Sequence, residues 1–305
     1  MLSYQRTVRN KVSCFGVGLH TGVRVDLALL PAAEDSGIKF KRVDIKDKNQ
    51  VISASYENVS NTLLGTTIRN EDGVHVATIE HLMAALWGCG VDNCLVEING
   101  PEVPIMDGSS EPFVFLIECA GVQEQKKSRK IIEVLKEVSV YENTGKNSGY
   151  ISVSPASNFS VDLSIDFGET IISNQDCMFD LNNVSFKSDI SRARTFGFEH
   201  EVEHLRQNGL ARGGSLENAI VIGKEGVINK EGLRYSDEFV RHKVLDCIGD
   251  IYLAGGYIQG ELKGFKSGHA LNNKLLRKFF ADEDAWRIVN MPDTQASITV
   301  HNQFQ

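Results

Sequence analysis

The stretch Phe239-Val240-Arg241-His242-Lys243-Val244-Leu245-Asp246-Cys247-Ile248-Gly249-Asp250 brings together an imidazole, an amine and two carboxylates. Read as a helix, its successive side chains turn by roughly 100°. His242, Asp246, Phe239, Asp250 and Lys243 then fall in one narrow stripe, while Val240, Val244, Cys247, Ile248 and Ile251 take the neighbouring face and are expected in the core. Ser236, Asp237 and Glu238 precede the stretch, a polar N-cap candidate followed by acids that suit the positive helix end. His242 and Asp246, one helical turn apart, offer a nitrogen and an oxygen on the same side, a pairing that zinc accepts. An ordinary i, i+4 pair on a solvated face has the same spacing. The gathering of further charged groups beside an apolar face favours a site.

Two other stretches carry matching chemistry. Thr78-Ile79-Glu80-His81 opens a second helical run. Adjacent helical residues diverge, so His81 can hold a metal while Glu80 addresses water bound to it. The plainer alternative is a glutamate suiting a helix N-terminus beside a core histidine. Taken with His242 and Asp246, His81 completes three protein ligands and leaves a fourth position for water, the pattern of a catalytic zinc ion. Lys266-Ser267-Gly268-His269 falls in a turn before a helix, where an imidazole can reach a site. A lone loop histidine is often inert, but a hydrolase expelling an amine needs an acid opposite its base. Asp250 can orient that imidazole.

The elements that must position these groups follow from local pattern. Val23 to Leu29 alternates as a half-buried strand, and Thr66 to Val76 reads as a hairpin around Asn70-Glu71-Asp72-Gly73. A helix is expected over Ile79 to Trp87 with Thr78 as its cap, then a strand over Cys94 to Ile98 and a helix over Glu111 to Ala120. Gln123 to Lys130 is polar throughout and is the linker candidate between domains 1–125 and 131–305. Strands are expected over Ile131 to Ile165, then the His242 helix, a strand over Tyr257 to Leu262 and a helix over Ala270 to Phe280. Both halves thus run strands, helix, strand, helix, each with a histidine on the corresponding helix. Residues 186–234 form an insertion in the second half, Gly-rich and apolar, with an expected hairpin around Ala219 to Ile222, as suits a wall of a binding site.

With 305 residues, 42% hydrophobic and 24% charged, the chain is long enough for two soluble domains. A formal charge of −8 argues against a nucleic-acid backbone as partner. The six cysteines contain no Cys-x-x-Cys pair, which fits reduced thiols in a cytoplasm. The N-terminal residues lack the apolar core of a signal peptide, and nothing reaches membrane-spanning length. A soluble, cytoplasmic monomer is expected.

The strings Thr78-Ile79-Glu80-His81, Arg194-Thr195-Phe196-Gly197-Phe198, Phe239 to Asp250 and Ser267-Gly268-His269-Ala270-Leu271-Asn272-Asn273 resemble those of the UDP-3-O-acyl-N-acetylglucosamine deacetylases, the zinc amidases of lipid A synthesis in Gram-negative bacteria. Gly16 to Gly22, Asn61-Thr62-Leu63-Leu64 and Val103 to Ser109 match as well, so the resemblance spans nearly the whole chain. It implies an α+β fold of two similar two-layer sandwich domains with one zinc ion at their interface. It implies His81, His242 and Asp246 as ligands, Glu80 as the base acting on zinc-bound water, and His269 as the acid oriented by Asp250. Thr195 would donate to the oxyanion, with Lys243 adding charge. The UDP-linked acylated amino sugar would meet Asp166 and Phe167 at its uridine and Lys266 at its pyrophosphate. Leu19, Thr62, Leu63, Phe196 and Gly268 are implied as further substrate contacts, and the acyl chain would lie along the insertion near Leu205, Leu210, Ala211 and Val221.

Two rival readings stand beside this one. His200-Glu201-Val202-Glu203-His204 matches the His-Glu-x-x-His of metalloproteases, but Glu199, Arg206, Gln207 and Asn208 flank it as on a solvated helix. A sugar-nucleotide binding protein clamped by structural zinc has no need of Glu80, Thr195 and His269, and would close the fourth metal position with protein.

Overall fold

The alternation around Val23 to Leu29 becomes the strand Arg24–Pro31, with Val25, Leu27 and Leu29 buried on one face. It is one of five strands in a sheet whose spatial order is Val12–Val17, Arg24–Pro31, Cys94–Ile98, Ile38–Arg42, Val51–Ser53. All neighbours are antiparallel except Cys94–Ile98 and Ile38–Arg42, which run parallel. A second five-stranded sheet has the order Val138–Tyr141, Tyr150–Ser154, Glu261–Phe265, Ser160–Asp166, Asn174–Asp180. Its single parallel pairing falls at the same place, between the third and fourth strands. The computed structural model describes residues 3–142, 148–168, 172–180 and 185–290. The fold is α+β, as the sequence leads one to expect.

Five α-helices accompany the sheets among the described residues: α1 (Glu80–Gly88), α2 (Glu111–Ala120), α3 (Glu199–Gln207), α4 (Glu238–Ile251) and α5 (His269–Ala281). Helices α4 and α5 pack on the second sheet, and α1 lies against both α2 and α4. Every residue of α1 from Glu80 to Trp87 is buried. The apolar face read from the sequence of α4 is buried as expected, from Val240 through Val244, Cys247 and Ile248 to Ile251. Neither helix has a side-chain cap at its N-terminus. A missing cap costs about 1 kcal/mol, whereas each large apolar side chain buried contributes roughly 1.5–3 kcal/mol. Packing therefore decides that these segments are helical.

Three local expectations change. Thr78 does not cap α1: its backbone is left-handed (φ 54°) and its hydroxyl donates to Glu102 Oε1 at 3.0 Å. The polar run at Gln123 to Lys130 is not an irregular linker but largely a strand, Val122–Ser128, paired antiparallel with Tyr4–Val8. The hairpin expected around Ala219 to Ile222 is reduced to a bridge between Ile222 and Val227, with the Gly223 amide on Gly226 O and the Ile228 amide on Val221 O. Its strand, Ile220–Ile222, finds its ladder partner in Phe196–Phe198, which runs parallel to it.

The crossing of α1 and α4 is the tightest contact that bears on function. A Cβ at Gly249 would lie 2.1 Å from the Glu80 carbonyl oxygen, so only glycine lets the two backbones touch there. Gly249→Ala should therefore force the helices apart. Overpacking of this kind costs about 1–3 kcal/mol, read as a lower urea midpoint at unchanged m-value. A parental midpoint would show that the crossing has slack.

Candidate active site

The crossing sets His81, at the start of α1, edge-on to His242 in α4, with ring centroids 4.9 Å apart. One turn along α4, Asp246 Oδ1 lies 3.3 Å from His242 Nε2 and 3.5 Å from His81 Nε2. All three side chains are buried, and their donor atoms lie within 4.8 Å of one another. His242 Nδ1 is 3.0 Å from the Ala193 carbonyl and donates to it, which turns the lone pair of Nε2 toward the other two groups. Burial pushes the His242 imidazole down to about 3, so it is neutral and able to ligate. Asp246 Oδ2 accepts from Lys243 Nζ at 2.9 Å, while buried Oδ1 has no hydrogen-bond partner among the described residues. A buried carboxylate oxygen without a partner is costly, and two nitrogens and an oxygen converging on it fit a metal ion. Among the described residues no other set of three His, Cys, Asp or Glu side chains is so placed.

Two proton-handling groups flank this set. Glu80 is buried beside His81, with Oε2 accepting from the Thr66 amide at 2.9 Å. Burial raises its carboxyl above the usual range, opposed by His269 and His81. His269, the first residue of α5, meets Asp250 Oδ2 through Nδ1 at 2.7 Å. Burial alone would lower this imidazole, but the Asp250 carboxylate outweighs it and pushes the group up to about 9. Asp250 also accepts from Asn272 Nδ2 at 2.9 Å and from Thr66 Oγ1 at 2.5 Å.

The loop opposite is held by a buried acid. Glu238 accepts from the Arg194 amide at 3.0 Å, from Arg194 Nε at 2.8 Å and from the Arg234 amide at 2.6 Å. The sequence suggested that this glutamate serves the helix end; the structure gives it the loop carrying Ala193 and Thr195. Thr195 itself is fixed by its amide on Gly108 O and its carbonyl on the Ile220 amide, both at 2.8 Å.

These groups open into a cavity of about 750 Å³. Glu80, His81, Thr195, His242, Lys243, Asp246 and His269 all line it, and Asp250 stands behind His269. Leu19, Thr62, Phe196 and Gly268 line it too, as do Leu205, Ala211 and Val221 of the insertion. Leu210 is not in its lining, and Leu63 points outward, 63% exposed. Leu64 takes the wall position instead, with a left-handed backbone (φ 56°). Asp166 and Lys266 pair with each other at 2.8 Å, outside the lining. Phe167 packs on Phe196 at 5.7 Å between ring centroids, likewise beyond it.

Sequence reasoning assigned no role to Thr66, His20 or Glu102. His20 lines the cavity and its Nε2 meets the Leu64 carbonyl at 3.1 Å. Fully buried Glu102 gathers the amides of His20 and Thr21 and the hydroxyls of Thr21 and Thr78, so it fixes the loop bearing Leu19. Glu102 lies in a proline-bounded loop with no periodicity to reveal it.

This α+β fold carries a buried two-histidine, one-aspartate set where α1 crosses α4, a candidate metal site. The family model described as LpxC, UDP-3-O-acyl N-acetylglycosamine deacetylase, matches residues 5–281. Two relatives, each named UDP-3-O-acyl-N-acetylglucosamine deacetylase, come from Teredinibacter turnerae and Saccharophagus degradans. Each is 48% identical over 295 residues, covering 96% of this chain and 95% of the relative. The chain belongs to this deacetylase family. None of its described helices is long and apolar enough to cross a membrane.

Helix α3 separates the two histidine motifs. It turns Val202 and Leu205 to the cavity wall but leaves His200, Glu201 and His204 exposed, and it buries no residue fully. The double variant His200→Ala, His204→Ala should keep the parental metal content by elemental analysis; loss of tightly bound metal would move the centre to α3.

Proposed function

We propose that this chain removes the N-acetyl group of UDP-3-O-acyl-N-acetylglucosamine, giving acetate and UDP-3-O-acyl-glucosamine, with one zinc ion held by His81, His242 and Asp246. The carrying observation is the buried three-donor set with Glu80 and the His269–Asp250 pair beside it in one cavity. Two imidazoles and one carboxylate suit zinc, and three protein ligands are the catalytic number. Zinc bound there supplies Lewis acidity toward water and the amide carbonyl.

The rest is done by the chain. Glu80 takes a proton from water as its oxygen attacks the amide carbon. The Thr195 hydroxyl and the Lys243 ammonium oppose the negative charge that grows on the carbonyl oxygen. His269, held protonated by Asp250, delivers a proton to the amide nitrogen as the C–N bond breaks, so acetate and a free amine leave. Leu205, Ala211 and Val221 shelter the acyl chain, and Leu19, Thr62, Leu64, Phe196 and Gly268 contact the sugar and its ester. Asp166 and Phe167 receive the uridine, and Lys266 exchanges its ion pair with Asp166 for the pyrophosphate. The reading takes residues 1–125 and 131–305 as two domains closing on the site. It places the protein in the cytoplasm as a monomer acting in lipid A synthesis.

Asp246→Ala should lose zinc and acetate release together, whereas Glu80→Gln should keep zinc and lose about 10²–10⁴-fold in rate. An Asp246→Ala protein with parental zinc, or a Glu80→Gln protein with parental turnover, would refute the corresponding role. Val221→Asp should weaken binding of the acylated substrate far more than binding of UDP, measured by calorimetry; equal losses would place the acyl chain elsewhere.

A further inference from the structure

Thr66 lies just ahead of the short strand Thr67–Arg69 and is 2% exposed. Its three polar groups are all engaged, and two of them reach the proton-handling groups. The amide donates to Glu80 Oε2 at 2.9 Å, and the hydroxyl donates to Asp250 Oδ1 at 2.5 Å. The carbonyl accepts from the Ile79 amide at 3.3 Å and so ties the residue to the start of α1. Asp250 is 184 positions away in sequence, on α4. One buried residue therefore spans, through its backbone and its hydroxyl, from the helix that carries the base to the carboxylate that holds the acid.

We infer that Thr66 is a positioning residue that locks Glu80 and Asp250, and through Asp250 the His269 imidazole, into one arrangement. The inference rests on the amide-hydrolysis reading above. The terminal torsion of an aspartate is broad and nearly two-fold. With only Oδ2 engaged, by His269 Nδ1 and Asn272 Nδ2, the Asp250 carboxylate can pivot and carry the imidazole with it. A second hydrogen bond on Oδ1 removes that freedom. Threonine suits the task because its branched Cβ restricts χ1 and so fixes the direction of the hydroxyl. On the Glu80 side the neighbouring residue leaves little room: a Cβ added at Gly65 would lie 3.0 Å from Glu80 Oε1. One oxygen of each acid is thereby held by the same residue. Outer partners of this kind typically matter by about 10–100-fold.

The test uses the full-length, zinc-loaded protein. Thr66→Val removes the hydroxyl and keeps the shape, Thr66→Ala removes it without a methyl against Asp250, and Thr66→Ser retains it. Both deletions should lower kcat for acetate release by about 10–100-fold, with KM and zinc content near parental, and Thr66→Ser should restore most of the rate. The low-field proton resonance of His269 Nδ1–H, identified by its loss in His269→Ala, should move in the two deletions and return in Thr66→Ser. Added to His269→Ala, Thr66→Val should cost little further. Parental kcat with an unmoved resonance, or a full loss on top of His269→Ala, would overturn the role. Parental acetate release by His269→Ala would sink the reaction reading instead, and the resonance would still decide whether Thr66 holds Asp250 and His269.

Discussion

The contact between the backbones of α1 and α4 at Gly249 and Glu80 is the constraint on which the site depends. Side chains normally hold helix axes 8–10 Å apart. Here the absence of a Cβ lets one helix settle onto the first turn of the other. That approach brings the imidazoles of His81 and His242 within reach of one carboxylate oxygen. It also places Glu80 beside α4, where burial raises its carboxyl above the usual range. A wider crossing would leave the same residues present but apart.

Such closeness carries an electrostatic cost. Glu80, Asp246 and Asp250 are all buried, and Lys243 and His269 are the cations that face them. Asp246 Oδ1 has no hydrogen-bond partner among the described residues. Leaving such a group unmade costs about 1–3 kcal/mol. A divalent cation accepted at His81, His242 and Asp246 would remove that cost and add positive charge to a buried site. Metal affinity and folding stability would then share one origin, the unpartnered carboxylate oxygen.

Much of this was legible. The 3.6 period of α4 separates its buried apolar face from the stripe of His242, Asp246 and Asp250, because one helix encodes both in consecutive residues. The stretches around His81 and His269 suggested their chemistry, and whole strings carried the resemblance that implied their roles. What could not be read is what depends on distant elements meeting. The bond from Thr66 to Asp250 leaves no local period. Leu63 and Leu64 are indistinguishable by type, and a left-handed turn at the second decides which faces the cavity. Gln123 to Lys130 reads as a linker because it is polar with no apolar residue, and the strand Val122–Ser128 that covers most of it shows only in its pairing with Tyr4–Val8.

The cavity joins two regions built on different principles. Around the donor set, polar side chains are fixed by second polar groups: Ala193 O on His242, Lys243 on Asp246, Thr66 on Glu80 and Asp250. The far wall, by contrast, comes from α3 and the Ile220–Ile222 strand, where Val202, Leu205, Val221 and Ile228 are only partly buried or exposed. Apolar contacts are non-directional and tolerate changes of shape that keep volume, whereas a ligand or base moved by about 1 Å can lose 10²-fold in rate. Substitutions at the far wall can therefore change the shape of the cavity without disturbing the donor set. The reverse does not hold, because a displaced α4 would move His242, Asp246 and the Glu238 anchor of the Thr195 loop together.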